Sequence, residues 1–129
     1  MSTSTVTDAA WQVYPYTWRN NRGCLMAKGQ QVRYGIPEPR PHKQMDGKFR
    51  EDDDAMKGGD RIGFTEVTIT LDMVGSKLAV FTNIEIKGTG DILKSGQLKF
   101  HDFILDHGGI SEIWKEHLDG TIEIIKEKT

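Results

Sequence analysis

Asn83-Ile84-Glu85-Ile86-Lys87-Gly88 closes an apolar-rich run that begins at Leu78 and is bounded by Gly75 and Gly88. Its β-branched and aromatic content reads as a strand over residues 78–86, continuing into Lys87. Side chains alternate along a strand, which puts Val80, Thr82, Ile84 and Ile86 on one face and Phe81, Asn83, Glu85 and Lys87 on the other. The first face is expected to be core. The second ends in a carboxylate and an ammonium two residues apart and pointing the same way. Such a pair suits a divalent cation held by the Glu, with a developing anion stabilised by the Lys. It also suits an ordinary ion pair at a strand end, and the tripeptide alone leaves both readings open.

Working outward, Asp60 to Thr70 is rich in Val, Ile, Thr and Phe and predicts a second strand, with Gly75-Ser76 as the punctuation of a hairpin whose apex lies near Val74. In that hairpin, facing residues have numbers summing to about 147 or 148, which brings Asp60 beside Lys87 or Gly88 at the end that carries Glu85. On the far side, Ser95 is a good N-cap for a helix through Gln97, Phe100, Phe103 and Ile104 to His107, stopped by Gly108-Gly109. Phe100, Phe103, Ile104 and His107 fall on one face at helical spacing, and Gln97 sits in the first turn, near the end of the Lys87 strand. Ile110 to Trp114 predicts a further strand, and Leu118 to Lys128 reads as helix or strand, with a helix started by Asp119 preferred. Two strands, a helix and a strand joined by a crossover give an α/β fold: a mixed β-sheet flanked by helices.

Towards the N-terminus, Asp8 opens a short helix limited by Pro15, behind a loose tail over residues 1–10. Trp18 to Met26 and Gln30 to Ile36 predict two short strands joined around Lys28-Gly29. Their arginines beside Trp18 and Tyr34 suit either a surface that tracks a nucleic-acid backbone or a solvated hairpin face. Residues 37–59 change character: Pro37, Pro39 and Pro41, then Asp46-Gly47, then the acidic run Glu51 to Asp54, then Gly58-Gly59. They read as a mobile surface loop, inserted in a single domain of 129 residues, and the acidic run lacks the spacing of a calcium loop.

Composition narrows the classes further. One cysteine, Cys24, excludes an internal disulfide and fits a reducing compartment. No apolar run is long enough to span a bilayer, and Met1 to Asp8 lacks the regions of a signal peptide, so a cytoplasmic protein with no membrane partner is expected. Residues 1–50 hold eight Lys/Arg against three acids, +5, which leaves −7 for the remainder of a chain with net charge −2. A basic half beside an acidic half is what a phosphate-binding surface next to a carboxylate site produces. His101, His107 and His117 show no Cys/His metal spacing, and His107 reads as a core-edge or helix-dipole histidine.

Asp60, then Glu85-Ile86-Lys87 after an intervening strand and turn, then Ser95-Gly96-Gln97 opening a helix that ends in Gly108-Gly109-Ile110, resembles the PD-(D/E)XK nucleases, and within them the virus-type replication-repair nuclease domain, VRR-NUC, in its stand-alone phage and bacterial form. Arg19-Asn20-Asn21-Arg22-Gly23 leading into Val32-Arg33-Tyr34-Gly35, and Lys57-Gly58-Gly59-Asp60-Arg61-Ile62-Gly63, carry the same resemblance, which covers Trp18 to Trp114. It implies a restriction-endonuclease-like core and magnesium-dependent hydrolysis of phosphodiester bonds, with manganese as a substitute. It also implies a homodimer in the cytoplasm of a host cell that cuts branched DNA such as Holliday junctions. Under it Asp60, Glu85 and the carbonyl of Ile86 are magnesium ligands, Lys87 orients or stabilises the attacking hydroxide, and Gln97 assists at the edge. Arg19, Asn20, Arg22, Arg33 and Lys57 are the DNA contacts. The alternatives are a non-catalytic nucleic-acid-binding module on the same fold and a restriction-type enzyme acting on duplex DNA. The chain departs from the family in having no Glu before Glu38, where an N-terminal helix usually supplies one, and in carrying Gly58-Gly59 where two serines are common.

Overall fold

The computed structural model describes residues 3–129 and is mixed α/β, with two α-helices and nine short strands among the described residues. The chain divides into two compact units, Met1–Thr65 and Glu66–Thr129.

In the first unit, helix α1 covers Thr3–Val13 and its last turn is closed by the Tyr14 N–H on the Ala10 carbonyl at 2.9 Å, immediately before Pro15. It starts five residues earlier than Asp8; of the expected loose tail, Met1 and Ser2 lie outside the described residues. Strand β1 (Thr17–Arg19) pairs antiparallel with β6 (Arg61–Gly63), and β2 (Gly23–Ala27) with β3 (Gln30–Tyr34). The β2–β3 turn is made by Lys28 and Gly29 at φ 50° and 74°. Two successive positive φ values are what a two-residue hairpin loop needs to match strand twist, and Gly29 takes its own at no steric cost. Tyr16 stacks on Phe64 with centroids 5.0 Å apart, and Trp18 leans on the same ring at 6.0 Å.

Residues 37–59 are not structureless. They contain a small antiparallel hairpin, β4 (His42–Lys43) and β5 (Phe49–Arg50), whose turn is held by Asp46, which accepts from the Lys48 N–H at 2.9 Å and from Arg50 at 3.0 Å. Short-range hydrogen bonds from one Asx residue replace the apolar periodicity that the sequence lacks there.

The second unit is built on a three-stranded sheet in the order β7 (Thr82–Lys87), β8 (Ile110–Glu116), β9 (Ile122–Ile125), parallel between β7 and β8 and antiparallel between β8 and β9. Helix α2 (Ser95–Asp106) makes the crossover from β7 to β8. Its C-terminus is a Schellman motif: the Gly109 N–H bonds the Ile104 carbonyl at 2.9 Å and the Gly108 N–H the Leu105 carbonyl at 3.1 Å, with Gly108 at φ 84°. Ile104 and Ile113, each 1% exposed, form its apolar centre.

Four expectations are corrected here. The strand after Asp60 stops at Gly63, the hairpin about Val74 does not form, and a single 3₁₀ turn, Leu71–Met73, stands near its apex. β6 therefore pairs with β1, and β7 with β8. The C-terminal segment is strand β9, because Ile122, Ile124 and Ile125 gain backbone partners on β8. The helix N-cap is Lys94, not Ser95. Finally, the burial of β7 is inverted: Ile84 and Ile86 are 49% and 75% exposed, while Asn83, Glu85 and Lys87 are part-buried.

Candidate functional site

The inversion of β7 has a polar cause. The part-buried or buried stripe of α2 includes Gln97, His101 and Ile104, spaced four and three residues apart. Two of these three side chains are polar, and each finds a polar partner on the sheet. Gln97 Nε2 donates to Glu85 Oε1 at 2.8 Å while its Oε1 accepts from the Lys94 N–H at 3.0 Å. His101, fully buried, has Nδ1 2.7 Å from Ser111 Oγ and Nε2 2.7 Å from the Glu127 carbonyl, and Ser111 Oγ accepts from Asn83 Nδ2 at 3.0 Å. A carbonyl only accepts, so Nε2 donates to the Glu127 carbonyl. Burial of these groups is tolerated because each side chain finds a hydrogen-bonding partner.

At the end of β7 this packing leaves a small constellation. Lys87 Nζ lies 3.4 Å from Glu85 Oε1, with the two side chains 11% and 27% exposed. An ion pair this far out of water interacts more strongly than a pair on the open surface, for which little energy is expected. Lys87 and Gln97 both address Oε1, and Oε2 has no partner among the described residues. The expected trio Glu85, Lys87 and Gln97 is thus brought together within the second unit, on the strand that also carries the Ile86 backbone.

Asp60 and the expected DNA contacts belong to the first unit. There Asp60, Asn20, Arg22 and Lys57, though not Arg19 or Arg33, line a polar cleft of about 720 Å³, bounded by Asn20, Asn21 and Arg22 on one stretch of chain. Tyr34, Lys57 and Asp60 contribute from two others. Asn20 is a brace: its Nδ2 donates to the carbonyls of Ile36 and Gly59 at 2.9 and 3.0 Å, and its Oδ1 accepts from the Ile36 N–H at 2.9 Å. Arg22 is another, with Nε on the Pro37 carbonyl at 2.5 Å and both terminal nitrogens on Glu51, at 2.8 and 2.5 Å. This two-pronged bond holds the Glu51 carboxyl below, and the Arg22 guanidinium above, their ordinary pKa values. Gly58 closes the wall: a Cβ there would meet the Ile36 carbonyl and Asn20 Nδ2. Lys57, by contrast, has no ion-pair partner among the described residues, and neither Asn21 nor Asp60 has a side-chain hydrogen bond. Arg19 and Arg33 are exposed on β1 and β3.

Sequence reading placed Asn20 and Arg22 with the DNA contacts, whereas their polar atoms are taken up inside the fold. It did not assign Asn21 or the His101–Ser111–Asn83 chain to any role. Lone polar residues inside strand and helix patterns carry no spacing signal of their own. Among the described residues, no group of three or more His, Cys, Asp or Glu gathers as a metal cluster, and no helix is long and apolar enough to cross a membrane. Compared with known proteins, the chain matches no family model, no curated protein and no solved structure.

Proposed function

We propose that the chain is a magnesium-dependent DNA endonuclease of the PD-(D/E)XK type, with a restriction-endonuclease-like core, acting as a homodimer on branched DNA such as Holliday junctions. The observation that carries this reading is the Glu85, Lys87 and Gln97 constellation at the end of β7, with Lys87 Nζ held 3.4 Å from Glu85 and largely out of water. The donor set suits the ion. Magnesium takes oxygen ligands and is commonly bound through one or two carboxylates, with waters and substrate phosphates completing the shell. Glu85 Oε2 and the Ile86 carbonyl would hold it, and manganese would substitute. When bound, the ion supplies a lowered pKa for water and offsets phosphate charge.

The protein's own groups have separate tasks. Gln97 fixes one oxygen of Glu85, which leaves the other directed by the same rotamer. Lys87, held beside the carboxylate, presents its ammonium to a phosphate oxygen or an attacking oxygen. Asp60, the further carboxylate that the resemblance enlists, belongs to the first unit, and its part is tested by its own substitution.

Cleavage of a labelled four-way junction and of a linear duplex under magnesium tests the proposal. Wild-type protein is expected to cut the junction preferentially. Asp60→Asn and Lys87→Ala are each expected to lower the rate about a hundredfold or more while leaving junction binding intact. Wild-type rates in both variants refute the assignment, and preferential cutting of the linear duplex points to the restriction-type alternative. The polar cleft of the first unit needs no metal to bind a nucleic acid, which favours as second reading a non-catalytic binding module; binding without cutting under either metal would establish it.

A further inference from the structure

The cleft of the first unit, which Asp60 also lines, has a division of labour among its other residues that cleavage does not require. Asn20 and Arg22 hold its walls, with their polar atoms turned to the Ile36, Pro37, Gly59 and Glu51 chain. The side chains of Asn21 and Lys57 line the same space with no hydrogen bond or close ion pair among the described residues, and the Lys57 charge helps hold the Glu51 carboxyl low. Tyr34 lines it too, 41% exposed, the outer end of its ring lying so close to Gly23 that a Cβ there would be 2.7 Å from Cζ. A ring backed by a glycine of the paired strand is fixed in place yet keeps much of its surface open. Glu51 receives both prongs of Arg22 and makes no close ion pair with Lys57.

From this arrangement we infer that the cleft seats a single unpaired nucleotide of a DNA strand, with its base against Tyr34, its base edge near Asn21 and its phosphate on Lys57. The inference rests on the nucleic-acid reading of the chain, though not on cleavage. The size agrees: about 720 Å³ lies inside the range of roughly 300–1,000 Å³ that small-ligand clefts occupy and takes one nucleotide rather than a duplex. The chemistry agrees as well. A stacking ring with a nearby cation is the usual equipment for binding single strands without sequence preference, and an ammonium acts on phosphate as a point charge.

The test is fluorescence anisotropy of the full chain in EDTA, using a labelled twelve-residue oligothymidylate and a labelled duplex of equal length. Tyr34→Leu is expected to weaken oligothymidylate binding about tenfold and leave the duplex unchanged, while Tyr34→Phe, which keeps the ring, binds like wild type. Lys57→Gln is expected to weaken binding and to reduce the magnitude of the slope of log affinity against log salt by about 1. Equal losses on single strand and duplex, or equal losses in Tyr34→Leu and Tyr34→Phe, overturn the inference. If Tyr34→Leu binds oligothymidylate normally while the chain still cuts junctions, the cleft assignment falls and the nuclease reading stands. If the expected binding pattern is found in a chain that never cuts, the cleft assignment stands and the nuclease reading falls.

Discussion

Gln97 has two hydrogen-bonding ends, and both are engaged: one caps the backbone of α2 and the other restrains Glu85. Replacing it with Ala removes a cap and a carboxylate restraint together. Gln97→Ala should cost about 1 kcal/mol of stability, read by urea unfolding, and should slow cleavage without abolishing it, since Glu85 and Lys87 remain. His101 is a sharper case because the ring is fully buried and bonded at both nitrogens. In His101→Ala, Ser111 and the Glu127 carbonyl each lose a partner. Leaving buried polar groups unsatisfied costs about 1–3 kcal/mol apiece, so a destabilisation of about 3 kcal/mol by urea unfolding is expected; a loss under 1 kcal/mol would mean that water replaces the ring. The importance of these two residues was hidden in the sequence. A Gln and a His on a helix stripe look like interruptions of an apolar pattern, and only the facing Glu85, Ser111 and Asn83 turn them into matched contacts.

At the level of elements, the Schellman end of α2 separates two glycine roles. Gly108 sits at φ 84° with nothing within 4 Å of where a Cβ would stand, so Gly108→Ala meets only the left-handed backbone penalty, about 1 kcal/mol. Gly109 is crowded: its Cβ would lie 2.6 Å from Ile104 Cγ2 and 3.0 Å from the Phe81 carbonyl. Gly109→Ala should therefore unfold at clearly lower urea than Gly108→Ala, and the reverse order would count against this packing. Both glycines, the helix before them, and the Lys28-Gly29 hairpin were legible because local chemistry alone specifies them. What failed in the reading depended on distant partners. Val67 and Ile69 have strand-like spacing, yet no neighbouring strand pairs with them and both are exposed. Ile122 to Ile125 suits helix or strand by its own sequence and becomes strand because β8 offers a free edge. On β7 the alternation was read correctly and the core face wrongly, since α2 covers the polar side through hydrogen bonds that an apolar count ignores. The bonds from Arg22, just before β2, to Glu51 and to the Pro37 carbonyl were invisible for the same reason.

For the molecule as a whole, charge and acid titration follow from the same contacts. The first unit carries ten Lys/Arg against eight acids, +2, and the second seven against eleven, −4. The net positive charge of the first unit is in keeping with the phosphate seat proposed on Lys57. Glu51 is held low by the Arg22 hydrogen bond, Asp102 by the Thr129 N–H and hydroxyl, and Asp119 by Thr121. Each of these carboxylates has a lower pKa folded than unfolded, so the unfolded chain binds protons first on acidification. Their stabilisation is fully present above the ordinary carboxylate pKa values, about 4 to 4.5, and is lost as pH falls through the lowered ones. Thermal midpoints should be level from pH 7 to 5 and fall below about pH 4.5, and Glu51→Gln should flatten that fall; an unchanged acid limb would dissociate Glu51 from stability. The class of the fold, mixed α/β, could be read from the order of strand and helix signals, whereas its division into several small sheets could not, because pairing is decided by which edges meet. The central claim is chemical: Glu85 holds a divalent ion that phosphodiester cleavage needs. Single-turnover cleavage of a labelled four-way junction, wild type against Glu85→Gln under magnesium, tests it most directly. The account predicts cutting by wild type that EDTA abolishes, and a rate about a hundredfold lower or more in Glu85→Gln with junction binding retained; equal rates in the two proteins would contradict it.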